Sequence, residues 1–189
     1  LGAGLPVVGV GQDLSRQGIP SIVHDERAAA RQAVEYLLSK GHRRIAYVGR
    51  IRGSAIGTER CRGYRDALEA AGHFDPVLVW DEAFRYAAGE RAVHKAIDAG
   101  VCFTAIQAAS DEIAIGAMAA LKDRDRKVPG DVAIVGFGGT TMGAYTRPGL
   151  TTVSSHAEQA AMHVATLFDD RADTRGAVLV RLSRELMVR

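Results

Sequence analysis

The chain has 189 residues, 47% of them hydrophobic and 24% charged, with a formal net charge of +2. That composition supports a sizeable core, as one large domain or two small lobes. It argues against a disordered acidic tail and against a dedicated nucleic-acid domain, which gathers far more basic charge on one face. No apolar run reaches membrane-spanning length, and residues 1–10 lack the basic start and cleavage site of a secretion signal, so a cytoplasmic protein with no membrane partner is expected. A chain that opens Leu-Gly-Ala-Gly without Met reads as a fragment.

Short β-rich runs alternate with amphipathic stretches. Pro6–Val10 and Ser21–His24 read as strands, and Asp25 is placed as the N-cap of a helix through Lys40 that carries Ala30, Val34, Leu37 and Leu38 on one stripe. Gly41 stands where a helix C-terminal glycine is expected, and Ile45–Gly49 is an apolar run suited to a buried parallel strand. A helix from near Thr58 carries Tyr64, Ala67, Leu68 and Ala71 and stops at Gly72; Val77–Trp80 is the next strand. Ala92, Val93, Ala96 and Ile97 mark a helix ended by Gly100, and Thr104–Ala108 a strand. Asp111 is read as the cap of a helix with Ala114, Ala117, Met118 and Leu121. Val132–Phe137 is a strand leading into Gly138 and Gly139; Ala161, Val164, Ala165 and Phe168 form a last helical stripe, and Val178–Leu182 a closing strand. This alternation predicts an α/β fold of parallel sheets with helices on both faces. Ligands of such sheets bind beyond the carboxyl ends of the strands. The residues to watch are therefore Gly11, the loop after Gly49, Trp80–Tyr86, Ser110, Asp111 and Gly138–Thr141.

Catalytic signatures are missing. Gly9-Val10-Gly11 is followed by Leu14, so a dinucleotide fingerprint fails, and no GxxxxGK[ST], GxSxG or HExxH occurs. Neither a catalytic residue nor a cofactor is expected. Cys61 and Cys102 form no CxxC and have no His or Cys at ligand spacing, so no metal is expected and both read as buried apolar fillers in a reducing compartment. The arginines between Arg43 and Arg52 lack interleaved aromatics apart from Tyr47 and read as a solvated rim.

Four stretches taken together resemble one family: Gly41-His42-Arg43-Arg44-Ile45-Ala46 with the helix that follows Asp25, Arg60-Cys61-Arg62-Gly63-Tyr64, Ala109–Ala117, and Val128-Pro129-Gly130-Asp131-Val132-Ala133-Ile134-Val135-Gly136-Phe137, which continues to Pro148–Val153. Their order and spacing resemble the effector-sensing region of the lactose-repressor (LacI/GalR) family of transcription regulators. The resemblance implies two doubly wound parallel-sheet lobes of the periplasmic-binding-protein-like type I, with the amino-terminal lobe incomplete. On that basis residues 1–50 and 153–176 belong to the amino-terminal lobe and residues 51–152 and 177–189 to the carboxyl-terminal lobe. The helix-turn-helix head of the family has no counterpart here, so DNA is expected as a partner only through that head. The resemblance further implies a small-molecule effector, sugar-like or an anionic metabolite, bound between lobes, and a homodimer through the carboxyl-terminal lobe. A periplasmic sugar-binding protein is the alternative with the same fold.

The resemblance also implies site residues. Arg60 stands at the family's cleft arginine, where a guanidinium fork suits hydroxyl-rich or anionic ligands; the plainer reading is a surface arginine beside Glu59, Arg62 and Arg65. Ser110 and Asp111 lie in a ligand-binding turn, although Asp111 could serve only as a helix cap. Phe84 stands where an aromatic stacks on a ligand ring, or else anchors a loop in the core. Gly11 and Gly138 occupy positions where aspartate is common in the family, which removes two acceptors and suggests an anionic or bulkier ligand. His24 ends a strand and could reach the cleft.

Overall fold

Residues 7–168 and 178–189 are described in the computed structural model of the protein. The chain runs β1 (Gly9–Val10), β2 (Ser21–His24), α1 (Glu26–Ser39), β3 (Ile45–Gly49), α2 (Ala55–Ala70), β4 (Val79–Asp81), α3 (Tyr86–Asp98), β5 (Ala105–Ala108), α4 (Asp111–Asp123), β6 (Ala133–Gly138), α5 (Thr141–Tyr145), β7 (Thr151–Ser154), α6 (Ala157–Phe168), β8 (Leu179–Leu182) and β9 (Glu185–Met187). Two compact units result: residues 1–25 with 155–184, and residues 26–154 with 185–189.

In the larger unit, runs without polar alternation become interior strands. All residues of β3 and of β5 are buried, as befits parallel strands covered on both faces. The sheet order is β4-β3-β5-β6-β7-β9, parallel throughout except for β9, which pairs antiparallel with β7. From β3 the chain passes through α2 to its outer neighbour β4, then through α3 to β5 and through α4 to β6. The direction of winding therefore reverses between β3 and β5. With right-handed crossovers this places α1 and α2 on one face and α3 and α4 on the other; α1 packs on α2, and α3 on α4. One core joins the helical stripes to the sheet, with Leu37, Ile45, Tyr47, Tyr64, Leu68, Ile106, Ile113, Leu121 and Phe137 nearly or fully buried. Each large apolar side chain so buried contributes about 1.5–3 kcal/mol before chain entropy is counted. The α3–α4 crossing is tight: a Cβ on Gly89 would strike the carbonyl of Ile113, and one on Gly116 the carbonyl of Tyr86.

The smaller unit carries a three-stranded parallel sheet, order β1-β2-β8, with α6 packed against it. Its described core is small: Ile22, Ala160 and Leu182, flanked by Val8, Val164, Leu167 and Val180.

Several expectations are corrected. The lobe boundary does not fall at residue 50: α1 and β3 belong to the larger unit, which starts at residue 26. The returning boundaries lie at 154/155 and 184/185, so β8 pairs in the smaller sheet and only β9 returns to the larger one. Periodicity identifies a strand but carries no information on which sheet it joins. The α6 stripe is Ala160, Val164 and Leu167, not Ala161, Ala165 and Phe168, which are exposed; apolar residues stand on more than one side of this helix, so two neighbouring stripes fit its sequence. Helix α2 starts at Ala55 with Ser54 as its cap, earlier than Thr58, and β4 is preceded by a short 3-10 turn at Pro76–Leu78. Strands β7 and β9 and helix α5 were not foreseen, and Pro6 lies outside the described residues. Cys61 is half-buried against the core, but Cys102 is exposed, contrary to its reading as a buried filler.

Candidate functional site

Winding reversal between β3 and β5 leaves their carboxyl ends flanked by loops that leave to opposite faces, which is where open α/β sheets hold ligands. Arg60, in the second turn of α2, is brought to this point. It is not the surface arginine of the plainer reading: the residue is only 9% exposed. Its Nε donates to Glu26 Oε2 at 2.8 Å, its Nη1 donates to the carbonyl oxygen of Ala109 at 2.5 Å, and its guanidinium carbon lies 3.9 Å from the centre of the Phe137 ring. Three elements, α1, the β5–α4 turn and β6, thus clamp one side chain. Nη2 makes no hydrogen bond among the described residues.

Ser110 and Asp111 divide the work differently from the expected pattern. Ser110 is the N-cap of α4, its Oγ accepting from the Ile113 N–H at 3.3 Å. Asp111 is the first helical residue and is fully buried. Its Oδ1 accepts from the Thr152 hydroxyl at 2.5 Å and its Oδ2 from the Thr140 N–H at 2.6 Å. The carboxylate therefore ties α4 to β7 and to the turn after β6. Gly136 permits this approach, since a Cβ there would strike Asp111 Oδ1. Gly138 follows at the end of β6 with φ +137°, a conformation that side-chain-bearing residues rarely adopt. An ideal Cβ on it would lie 3.6 Å from Asp111 Oδ2, so Arg60, Ser110, Asp111 and Gly138 form one cluster.

Phe84 lies in the loop between β4 and α3, half-buried and packed on the main core, the position of a loop anchor. Nearby, Asp81 receives the Ile51 N–H at 2.8 Å and the Arg52 Nε at 2.7 Å, and these donors hold its carboxyl below the ordinary range. Gly11 and His24 belong to the smaller unit, just past β1 and at the end of β2. Gly11 has φ +80° and donates its N–H to the Ile22 carbonyl at 2.8 Å. His24 Nε2 lies 2.8 Å from the Ser155 carbonyl oxygen; a carbonyl only accepts, so that nitrogen carries the proton.

Glu26 and Thr152 are not singled out by the sequence, and Thr140 only as part of the turn Gly138–Thr141, without its partner. Their partners lie 34, 29 and 41 residues away, and no local pattern reports such pairings. Elsewhere in the larger unit, Glu90, His94 and Asp123 bring potential ligand atoms within 4.8 Å of one another. The Arg124 Nε points at His94 Nδ1 from 3.2 Å, so a fixed cation already occupies this surface cluster.

Sequence comparison adds the family. The profile described as "Periplasmic binding protein-like domain" matches residues 34–189. The chain belongs to the periplasmic binding protein-like domain family. Within that family it is 35% identical, over 99% of its length, to the HTH-type transcriptional regulator CelR of Thermobifida fusca, and spans 56% of that protein. A solved LacI-family regulator from Sanguibacter keddieii superposes with a TM-score of 0.89 at 35% identity, covering 98% of this chain and 73% of the other. The structure described as "transcriptional regulator CelR-cellobiose complex" superposes with a TM-score of 0.83 at 32% identity, covering 98% of this chain and 58% of the other. The resemblance to LacI-type sensor regions is borne out, and these relatives favour a regulator over a transport protein. No helix among the described residues is long and apolar enough to cross a membrane.

Proposed function

We propose that this periplasmic binding protein-like chain is the effector-sensing part of a LacI-type transcription regulator, and that it recognises a small hydroxyl-rich molecule at the carboxyl edge of the larger unit. The observation that carries the reading is Arg60: buried, held by Glu26, Ala109 and Phe137 at the point of winding reversal, with Nη2 left for an outside acceptor. A guanidinium fixed in advance loses little rotamer freedom on binding. The cellobiose complex of a relative supports a sugar as the ligand class. In this reading Gly138, Ser110 and Asp111 shape the edge around Arg60. Phe84, in the loop after β4 of the same unit, is the further candidate contact.

Regulation follows from linkage. The ligand shifts an equilibrium between two states by its differential affinity for them, and operator binding belongs to a DNA-binding head of the kind its relatives are named for. Neither a catalytic step nor a compartment other than the cytoplasm is proposed. A homodimer through the carboxyl-terminal lobe belongs to the same reading.

Calorimetric titration with cellobiose tests the site. Saturable binding is expected, and Arg60→Lys, which keeps the charge but loses the fork, is expected to weaken it about tenfold, equivalent to about 1.4 kcal/mol. Saturable binding that Arg60→Lys leaves unchanged would refute the placement of the ligand at this edge.

A further inference from the structure

We infer that Glu26 is the residue that sets the charge selectivity of this edge: by engaging Arg60 it makes the site accept uncharged polyols and reject ligands bearing a carboxylate. The inference rests on the functional reading above and goes beyond it, since an arginine alone suits anions at least as well as hydroxyls.

The geometry carries the point. A guanidinium grips a carboxylate with two parallel N–H donors, and on its Nε side those donors are Nε and Nη2. Glu26 Oε2 already takes Nε at 2.8 Å, so only half of that fork remains. Nη1 is directed to the Ala109 carbonyl. What Nη2 still offers is suited to one oxygen at a time, such as a hydroxyl. Charge acts in the same direction. The side chains of Glu26 and Arg60 are 8% and 11% exposed, so their mutual neutralisation takes place largely away from water, where screening is weak. An incoming carboxylate would meet an already compensated cation and the negative charge of Glu26 beside it. Asp111, two residues beyond the carbonyl that Arg60 holds, adds a second buried carboxylate to this edge. The pairing is between elements, Glu26 at the start of α1 and Arg60 on α2, and the close α1–α2 packing keeps them together.

The test uses two probes with one scaffold: cellobiose and cellobionate, in which the reducing-end sugar is replaced by its open-chain carboxylate. Wild-type protein is expected to bind cellobiose at least tenfold more tightly. Glu26→Gln keeps an oxygen acceptor for Nε but removes the charge, and is expected to move the cellobionate-to-cellobiose affinity ratio at least tenfold toward the anion. The double variant Glu26→Gln/Arg60→Met removes both charges and is expected to show no such gain. A purely structural role for Glu26 would instead lower both affinities in parallel. An unchanged ratio in Glu26→Gln, or wild-type protein that binds cellobionate as tightly as cellobiose, overturns the inference while leaving the functional reading standing; the second measurement needs no variant to fold. Wild-type protein that binds neither probe overturns both.

Discussion

Replacing Asp111 by alanine tests whether this buried carboxylate is chiefly a structural tie. Its two oxygens accept from the Thr152 hydroxyl at 2.5 Å and from the Thr140 N–H at 2.6 Å, and the residue is fully buried. Hydrogen bonds to a charged group contribute about 1.5–3 kcal/mol each, so Asp111→Ala is expected to cost about 3–5 kcal/mol, including the two donors left without partners. For a chain of this size that lowers the melting temperature by roughly 10 °C. Asp111→Asn is milder, at about 1–2 kcal/mol: its oxygen still accepts from Thr140, and its amide can donate to a rotated Thr152 hydroxyl, so mainly charge assistance is lost. Thermal unfolding followed by circular dichroism measures both. Crossing Asp111→Ala with Thr152→Val should return a coupling of about 1–3 kcal/mol, since the two side chains share one hydrogen bond. Were Asp111→Ala to shift the melting temperature by only a degree or two, the tie between α4, β7 and the β6–α5 turn would not be a main support of the larger unit. A rise in stability, as often follows removal of a ligand-directed charge, would instead point to a residue kept for binding.

Gly116→Ala is expected to lower the melting temperature although alanine is the better helix former by about 1 kcal/mol, because its Cβ meets the Tyr86 carbonyl across the α3–α4 crossing and overpacking costs about 1–3 kcal/mol; a more stable variant would contradict the close crossing. Asp81→Asn should destabilise the protein at neutral pH and progressively less on acidification. The folded carboxyl is held below its ordinary range first by the Ile51 N–H and then by Arg52, so its stabilisation is complete above the unfolded value of about 4 and fades as pH falls through the folded one. Denaturation curves of variant and wild type that keep a constant separation down to pH 2 would contradict this.

Much was legible from sequence because it depends on neighbours along the chain. The apolar run Ile45–Gly49 had to be covered on both faces, and with the alternation of strands and helices an α/β sheet followed. The rule that ligands sit past the carboxyl ends of strands singles out Ser110, Asp111 and Gly138 from the sequence. What tertiary structure decided is everything that depends on residues far apart. Arg60 reads identically as a solvated or a buried, clamped helix residue until α1 brings Glu26 within 2.8 Å of it. Asp111 reads as a cap until Thr152, 41 residues on, closes on Oδ1 and leaves capping to Ser110. Likewise β8 and β9, two residues apart, enter different sheets, because strand pairing is settled by backbone hydrogen bonds with distant segments that hydrophobic periodicity does not encode.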